Sequence, residues 1–181
     1  MNYDEFIPKI KEGNKLAFKE LYEATAPLFK GIAYRYLHDE AKAEDVLQET
    51  YIKIYKSIAS YTGEGNFEGW MKRILVNNCL NYIKKEKKFA FDSLNGTPDQ
   101  PDRPWDSVIE HLSFEEIVGL IENLPTGYKA VFNMAVFEGY SHKEIGEALG
   151  ITASASRSQL TKAKASLKEE LKKINIYSSI A

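Results

Sequence analysis

Phe67 to Lys88 reads FEGWMKRILVNNCLNYIKKEKK, and it predicts a single helix. Apolar residues fall at Phe67, Trp70, Met71, Ile74, Leu75, Leu80 and Ile83, mostly three or four apart, which suits one buried stripe. The charges are lopsided: Lys72, Arg73, Lys84, Lys85, Lys87 and Lys88 are opposed only by Glu68 and Glu86. Rings (Phe67, Trp70, Tyr82) and amides (Asn77, Asn78, Asn81) are mixed among the cations. A nucleic-acid strand is met by such a set: charge for phosphate, a ring to stack a base, an amide to bond a base edge. A solvated basic helix with a core tryptophan would read the same way, so the rest of the chain has to decide.

The chain has 181 residues, 44% hydrophobic and 28% charged, with a formal net charge of −2. These are ordinary values for a globular protein of one domain or two small ones. The basic helix is therefore a local excess. The stretch 89–112 is its opposite, with Arg103 alone against Asp92, Asp99, Asp102, Asp106 and Glu110. Cys79 is the only cysteine, which excludes an internal disulfide and fits a reducing compartment. No apolar run approaches the roughly 20 residues of a membrane span, and the first residues lack the layout of a signal peptide. A soluble, cytoplasmic protein with no membrane insertion is expected.

Upstream of the basic helix, Asp4 to Glu12 predicts a short helix ended by Gly13, with Asn14 capping the next. Lys15 to Leu37 has helical periodicity with an expected kink at Pro27. Asp39 then caps a third helix reaching about Tyr61. Its core side reads Val46, Leu47, Thr50, Tyr51, Ile54, Tyr55 and Ile58, and its outer side Glu44, Asp45, Gln48, Glu49 and Lys53. Thr62 to Asn66 is a turn cluster joining it to the basic helix. Four helices with short connections predict a compact bundle.

Downstream, the stretch 89–106 holds Pro98, Pro101, Pro104 and Gly96 among its acids and reads as a semi-extended linker. A second helical unit follows. Ser107 with Glu110 and Ser113 with Glu116 both have capping-box spacing, and one of them opens a helix to about Asn123. Tyr128 to Glu138 is the next helix. Ser141 with Glu144 opens a short one ended by Gly150, and Thr152 caps a last helix from Ala153 to about Lys173. No run alternates with period two. The expected fold is all-α: an N-terminal four-helix bundle over 1–88, the linker 89–106, and a C-terminal helix-turn-helix domain over 107–181.

A short capped helix, a glycine-containing turn and a longer helix are the parts of a helix-turn-helix. Ile145, Ala148, Leu149 and Ile151 would form its inner hinge. The expected outward positions of the last helix are Ser154, Ser156, Arg157, Ser158, Gln159, Thr161, Lys162 and Lys164. Small hydroxyls would let it sink into a major groove, Arg157 and Gln159 could read base edges, and lysines could hold phosphates. Enzyme readings fare badly. Gly-Lys never occurs, so there is no P-loop, and His38, His111 and His142 lack metal-ligand spacing and read as surface or capping residues. Cys79 reads as core, and no cofactor or metal is expected.

Together these pieces resemble an extracytoplasmic-function (group IV) RNA polymerase sigma factor. The stretch Ala43 to Tyr51 resembles the family's core-polymerase-binding helix. Phe67 to Ile74, followed by Asn77 and Asn81, resembles its promoter-melting segment, and Leu124-Pro125 with Gly139 to Gly146 resembles the start of its C-terminal domain. The recognition helix departs from the usual pattern, with Gln159 where arginine is common. The resemblance implies a non-enzymatic initiation subunit with three contact sets. Asp45, Gln48, Glu49 and Lys53 would dock on the polymerase clamp. Gly63, Gly65, Asn66, Trp70, Lys72, Arg73, Asn77, Asn81, Lys84 and Lys85 would take the minus-ten DNA, with one base extruded into the turn. The outward face of the last helix would read the minus-thirty-five duplex. Core polymerase (clamp and flap regions), promoter DNA and an anti-sigma factor are the implied partners. The rival reading is a stand-alone helix-turn-helix regulator with a sensing or dimerising bundle.

Overall fold

The computed structural model describes residues 3–63, 65–86 and 114–178, and every described element is helical. The chain divides into two compact units, one ending at Glu86 and one beginning at Lys87. The linker expected over 89–106, the Ser107–Glu110 cap and Ser113 of the alternative cap lie outside the described residues.

In the first unit, α1 (Phe6–Lys11) is followed by α2 (Lys15–Leu37), α3 (Glu40–Ser57) with a 3-10 turn at Ile58–Ser60, and α4 (Phe67–Lys85). Local chemistry sets the starts. Asn14 Oδ1 accepts from the amides of Leu16 and Ala17, Asp39 Oδ1 from that of Lys42, and Asn66 Oδ1 from that of Gly69. α2 ends where His38 turns left-handed at φ 51, a conformation unusual for a residue other than glycine. Pro27, where a kink is expected, lies within α2, which runs unbroken through it. Proline removes the hydrogen bond to the carbonyl of Glu23, and both residues are exposed.

The core of this unit is Leu21, Phe29, Ile32 and Ala33 from α2, Val46, Leu47 and Ile54 from α3, and Met71, Leu75, Val76 and Leu80 from α4, all buried. Cys79 is buried with them. Several polar groups inside pair with one another. Thr25 Oγ1 lies 2.6 Å from Tyr51 Oη and donates to Leu21 O at 2.7 Å. Asn78 Nδ2 donates to Thr50 Oγ1 at 2.9 Å, and Lys53 Nζ donates to Asn78 Oδ1, which stitches α3 to α4. Tyr55, expected in the core, is 40% exposed. It ends an aromatic ladder, edge-on to Phe18 at 4.9 Å, and its outer edge meets water.

In the second unit, α5 (Phe114–Glu122), α6 (Thr126–Phe132), α7 (His142–Leu149) and α8 (Ala153–Ser178) pack around Ile121, Leu124, Phe132, Ala163 and Leu167. The helix expected over 128–138 changes pitch: after Phe132 it widens to a π-turn at Asn133–Phe137, closed by Glu138 N donating to Asn133 O at 3.1 Å. Ser141 and Glu144 make the full capping box at the start of α7. Gly150 ends α7 at φ 75, and Gly146 is where the turn crosses it: a Cβ there would lie 2.7 Å from Ile151 O. That approach sets α7 against α8 as a helix-turn-helix.

Candidate nucleic-acid interface

On α4 the buried stripe is Phe67, Met71, Leu75, Val76, Asn78, Cys79, Leu80 and Ile83. It leaves Arg73, Asn77, Asn81, Lys84 and Lys85 exposed, spaced along the helix so that cation, two amides and two cations follow one another over its outer surface. Lys72 is less available than its sequence position suggests, being half-buried and 2.8 Å from Glu68. Trp70 is half-buried too, stacked on Phe67 at 5.6 Å and tilted against Tyr61 at 5.2 Å. Ahead of α4, Gly63 and Gly65 are both left-handed, φ 84 and φ 81. Asn66 spends its Oδ1 on the cap, which leaves its Nδ2 for any base edge.

The outer face of α3 presents Asp45, Gln48, Glu49 and Lys53, all exposed. Glu49 and Lys53 pair at 2.9 Å. Sequence reasoning missed Ile52, which is 54% exposed, one turn from Gln48. Its signal was an isoleucine out of register with the core side of the helix. A large apolar side chain amid the polar Gln48, Glu49 and Lys53 suits a docking patch.

On α8 the expected outward face is only partly outward. Ser154, Arg157 and Thr161 are exposed and Lys162 and Lys164 half-buried, but Ser156, Ser158 and Gln159 are buried at 0%, 8% and 7% exposure. The reason is packing: α8 lies against both α6 and α7, and its small serines allow that close approach. Ser156 Oγ lies 2.9 Å from His142 Nδ1, so His142 joins α7 to α8 rather than standing at the surface. The line that remains is Ser154, Arg157, Thr161 and, further along, the exposed Lys168. It carries no acid.

Among the described residues no three His, Cys, Asp or Glu side chains gather as metal ligands do, and no helix is long and apolar enough to cross a membrane.

Comparison with known proteins follows the same division. The family model for Sigma-70 region 2 matches residues 21–89, and that for Sigma-70, region 4 matches 114–167. SigE of Mycolicibacterium smegmatis, an ECF RNA polymerase sigma factor, is 29% identical over 164 residues, 87% of this chain and 62% of that protein. The chain thus spans less than two thirds of that relative. The ECF RNA polymerase sigma-E factor of Haemophilus influenzae is 28% identical over 180 residues, 91% of this chain and 93% of that one. Among solved structures, the sigma factor RpoE of Bartonella quintana, in complex with the anti-sigma factor NepR, has the same fold, with a TM-score of 0.58 at 19% identity over 86% of this chain and 96% of that one.

Proposed function

Since this chain belongs to the sigma-70 family, among the extracytoplasmic-function RNA polymerase sigma factors, we propose that it binds core RNA polymerase and directs promoter-specific initiation, with its faces divided as follows. The α3 face of Asp45, Gln48, Glu49 and Lys53, centred on Ile52, docks on the clamp. Polar docking of this kind favours a reversible partner. The Gly63–Gly65–Asn66 turn and Trp70 receive an extruded base at the upstream edge of the melted minus-ten element. Extrusion costs a few kcal/mol, offset by stacking and edge contacts. Arg73, Asn77, Asn81, Lys84 and Lys85 hold the parted strand, with Lys72 contributing once it leaves Glu68. Ser154, Arg157, Thr161, Lys162 and Lys164 read the minus-thirty-five duplex. Ser156, Ser158 and Gln159 support that helix from behind.

In this reading region 2 spans 1–88, a linker 89–106 sets the spacing between the two elements, and region 4 spans 107–181. Catalysis belongs to the polymerase; this chain selects and opens the site, in the cytoplasm where nucleoid and polymerase meet. An anti-sigma factor is the regulating partner, as in the complex of the Bartonella relative.

The observation that carries the proposal is the exposed run of cation, amides and cations on α4, standing directly behind a glycine-hinged turn. Replacing Lys84 and Lys85 together by alanine tests it. Binding to core polymerase should survive while permanganate-detected strand opening on a selected promoter falls. Unchanged opening would count against the assignment.

A further inference from the structure

The turn before α4 does not brace itself. A Cβ on Gly63 or Gly65 would meet nothing within 4 Å, so no neighbour presses on either hinge. Bracing comes from Tyr61, which is 6% exposed. Its ring packs at 5.2 Å on both Phe67 and Trp70, in the first turn of α4. Its hydroxyl donates across the turn to Gly65 O at 2.8 Å. Its amide donates back to Ile58 O at 3.1 Å. Its carbonyl accepts from Lys11 Nζ at 2.7 Å.

Lys11 comes from the last turn of α1, ahead of residue 21, where the match to the region 2 family model begins. It does not reach over by chance. Neighbouring Ile10 is buried, and α1 packs against the 3-10 turn that Tyr61 closes. An ammonium on that carbonyl makes a charge-assisted bond at the negative end of a helical turn, where a cation is favoured.

We infer that Tyr61 and Lys11 are positioning residues that set which base the Gly63–Gly65–Asn66 turn accepts, so that α1 belongs to the promoter-reading apparatus without touching DNA. This rests on the proposed capture of a base by that turn. A site that discriminates bases by hydrogen bonds must hold its groups to within about 0.5 Å, and two glycine hinges leave that precision to whatever ties the turn down. Tyr61 ties it at both sides, and Lys11 fixes Tyr61 from a separate helix.

The test uses the full chain bound to a bacterial core RNA polymerase and a template pool randomised across the melted stretch. Open-complex yield is read for each of the four bases at the most selective position. Tyr61→Phe keeps the ring and removes the bond to Gly65; Lys11→Met keeps the stem and removes the ammonium. Each should shrink the preference at that one position about fivefold, the worth of one hydrogen bond. Preferences elsewhere and affinity for core polymerase should hold within about twofold, and Lys11→Arg should restore the wild-type preference. An equal fall for all four bases, an unchanged preference, or no rescue by arginine overturns the inference. A wild-type chain with no preference at any melted position would instead overturn the reading of the turn as a base site, and the inference with it.

Discussion

Asn77, Asn78 and Asn81 look alike in sequence, yet they do different work. Asn77 and Asn81 are exposed, whereas Asn78 is buried and bridges Thr50 and Lys53 on α3. A helical wheel alone separates them poorly, because an amide suits water and a satisfied interior site equally. Asn78→Ala should cost about 1–3 kcal/mol in urea unfolding, since Thr50 and Lys53 lose a buried partner. Asn77→Ala should stay within about 0.5 kcal/mol of wild type and show its effect only in strand opening. Tyr51 offers a second residue-level check. Burial raises its phenol above the ordinary value of 10.0, against the lowering effect of the Thr25 hydrogen bond. Above pH 10 the unfolded chain gives up this proton while the folded chain keeps it, so the folded state binds more protons and stability falls as pH rises. Tyr51→Phe should flatten the alkaline loss of stability, measured by circular dichroism across pH 9 to about 12; an unchanged slope would place the loss elsewhere. The helix caps at Asn14, Asp39 and Ser141 were legible from the sequence because a cap is local.

Elements were legible where one face alone meets the core. The expected third helix appears as α3 with its 3-10 extension, and Asp45, Gln48, Glu49 and Lys53 stand outward as read. α8 was not legible in the same way, because a helix gripped by both α6 and α7 has a narrow outer strip. Serines there read as groove-fitting, but Ser156 and Ser158 are buried instead, Ser156 against His142 of α7. The two cases predict different mutant behaviour. Arg157→Ala should relax selectivity at one duplex position by about 1–3 kcal/mol in a binding-site selection, whereas Gln159→Ala should lower thermal stability and leave base preference unchanged. On α3, Gln48→Ala with Glu49→Ala, and separately Ile52→Ala, should each weaken affinity for core polymerase, Ile52→Ala by roughly tenfold if it centres the patch. Equal recovery in a pull-down would move the docking face elsewhere. The π-turn after α6 had no sequence signal: its residues continue an apolar period, and only the wider hydrogen bonds reveal the change.

At the scale of the molecule, the proposed function has a chain of net charge −2 engage a polyanion through two local strips, Arg73 to Lys85 on α4 and Arg157 to Lys168 on α8. Neither strip is large, so neither unit alone should hold DNA tightly, and promoter grip should come from both acting through polymerase. The order of the two units was readable because each carries its own capped, periodic pattern. The exposure of the α8 strip depends on packing between distant segments, and so waited for the structure. The most direct measurement is run-off transcription with core polymerase on a promoter selected by this chain, with the minus-ten and minus-thirty-five elements scrambled in turn, alongside duplex binding by the chain alone. The account predicts a unique start that either scrambling abolishes, and weak binding without polymerase. Tight binding of the free chain to duplex, with no selective start on any template, would contradict it and favour a stand-alone regulator.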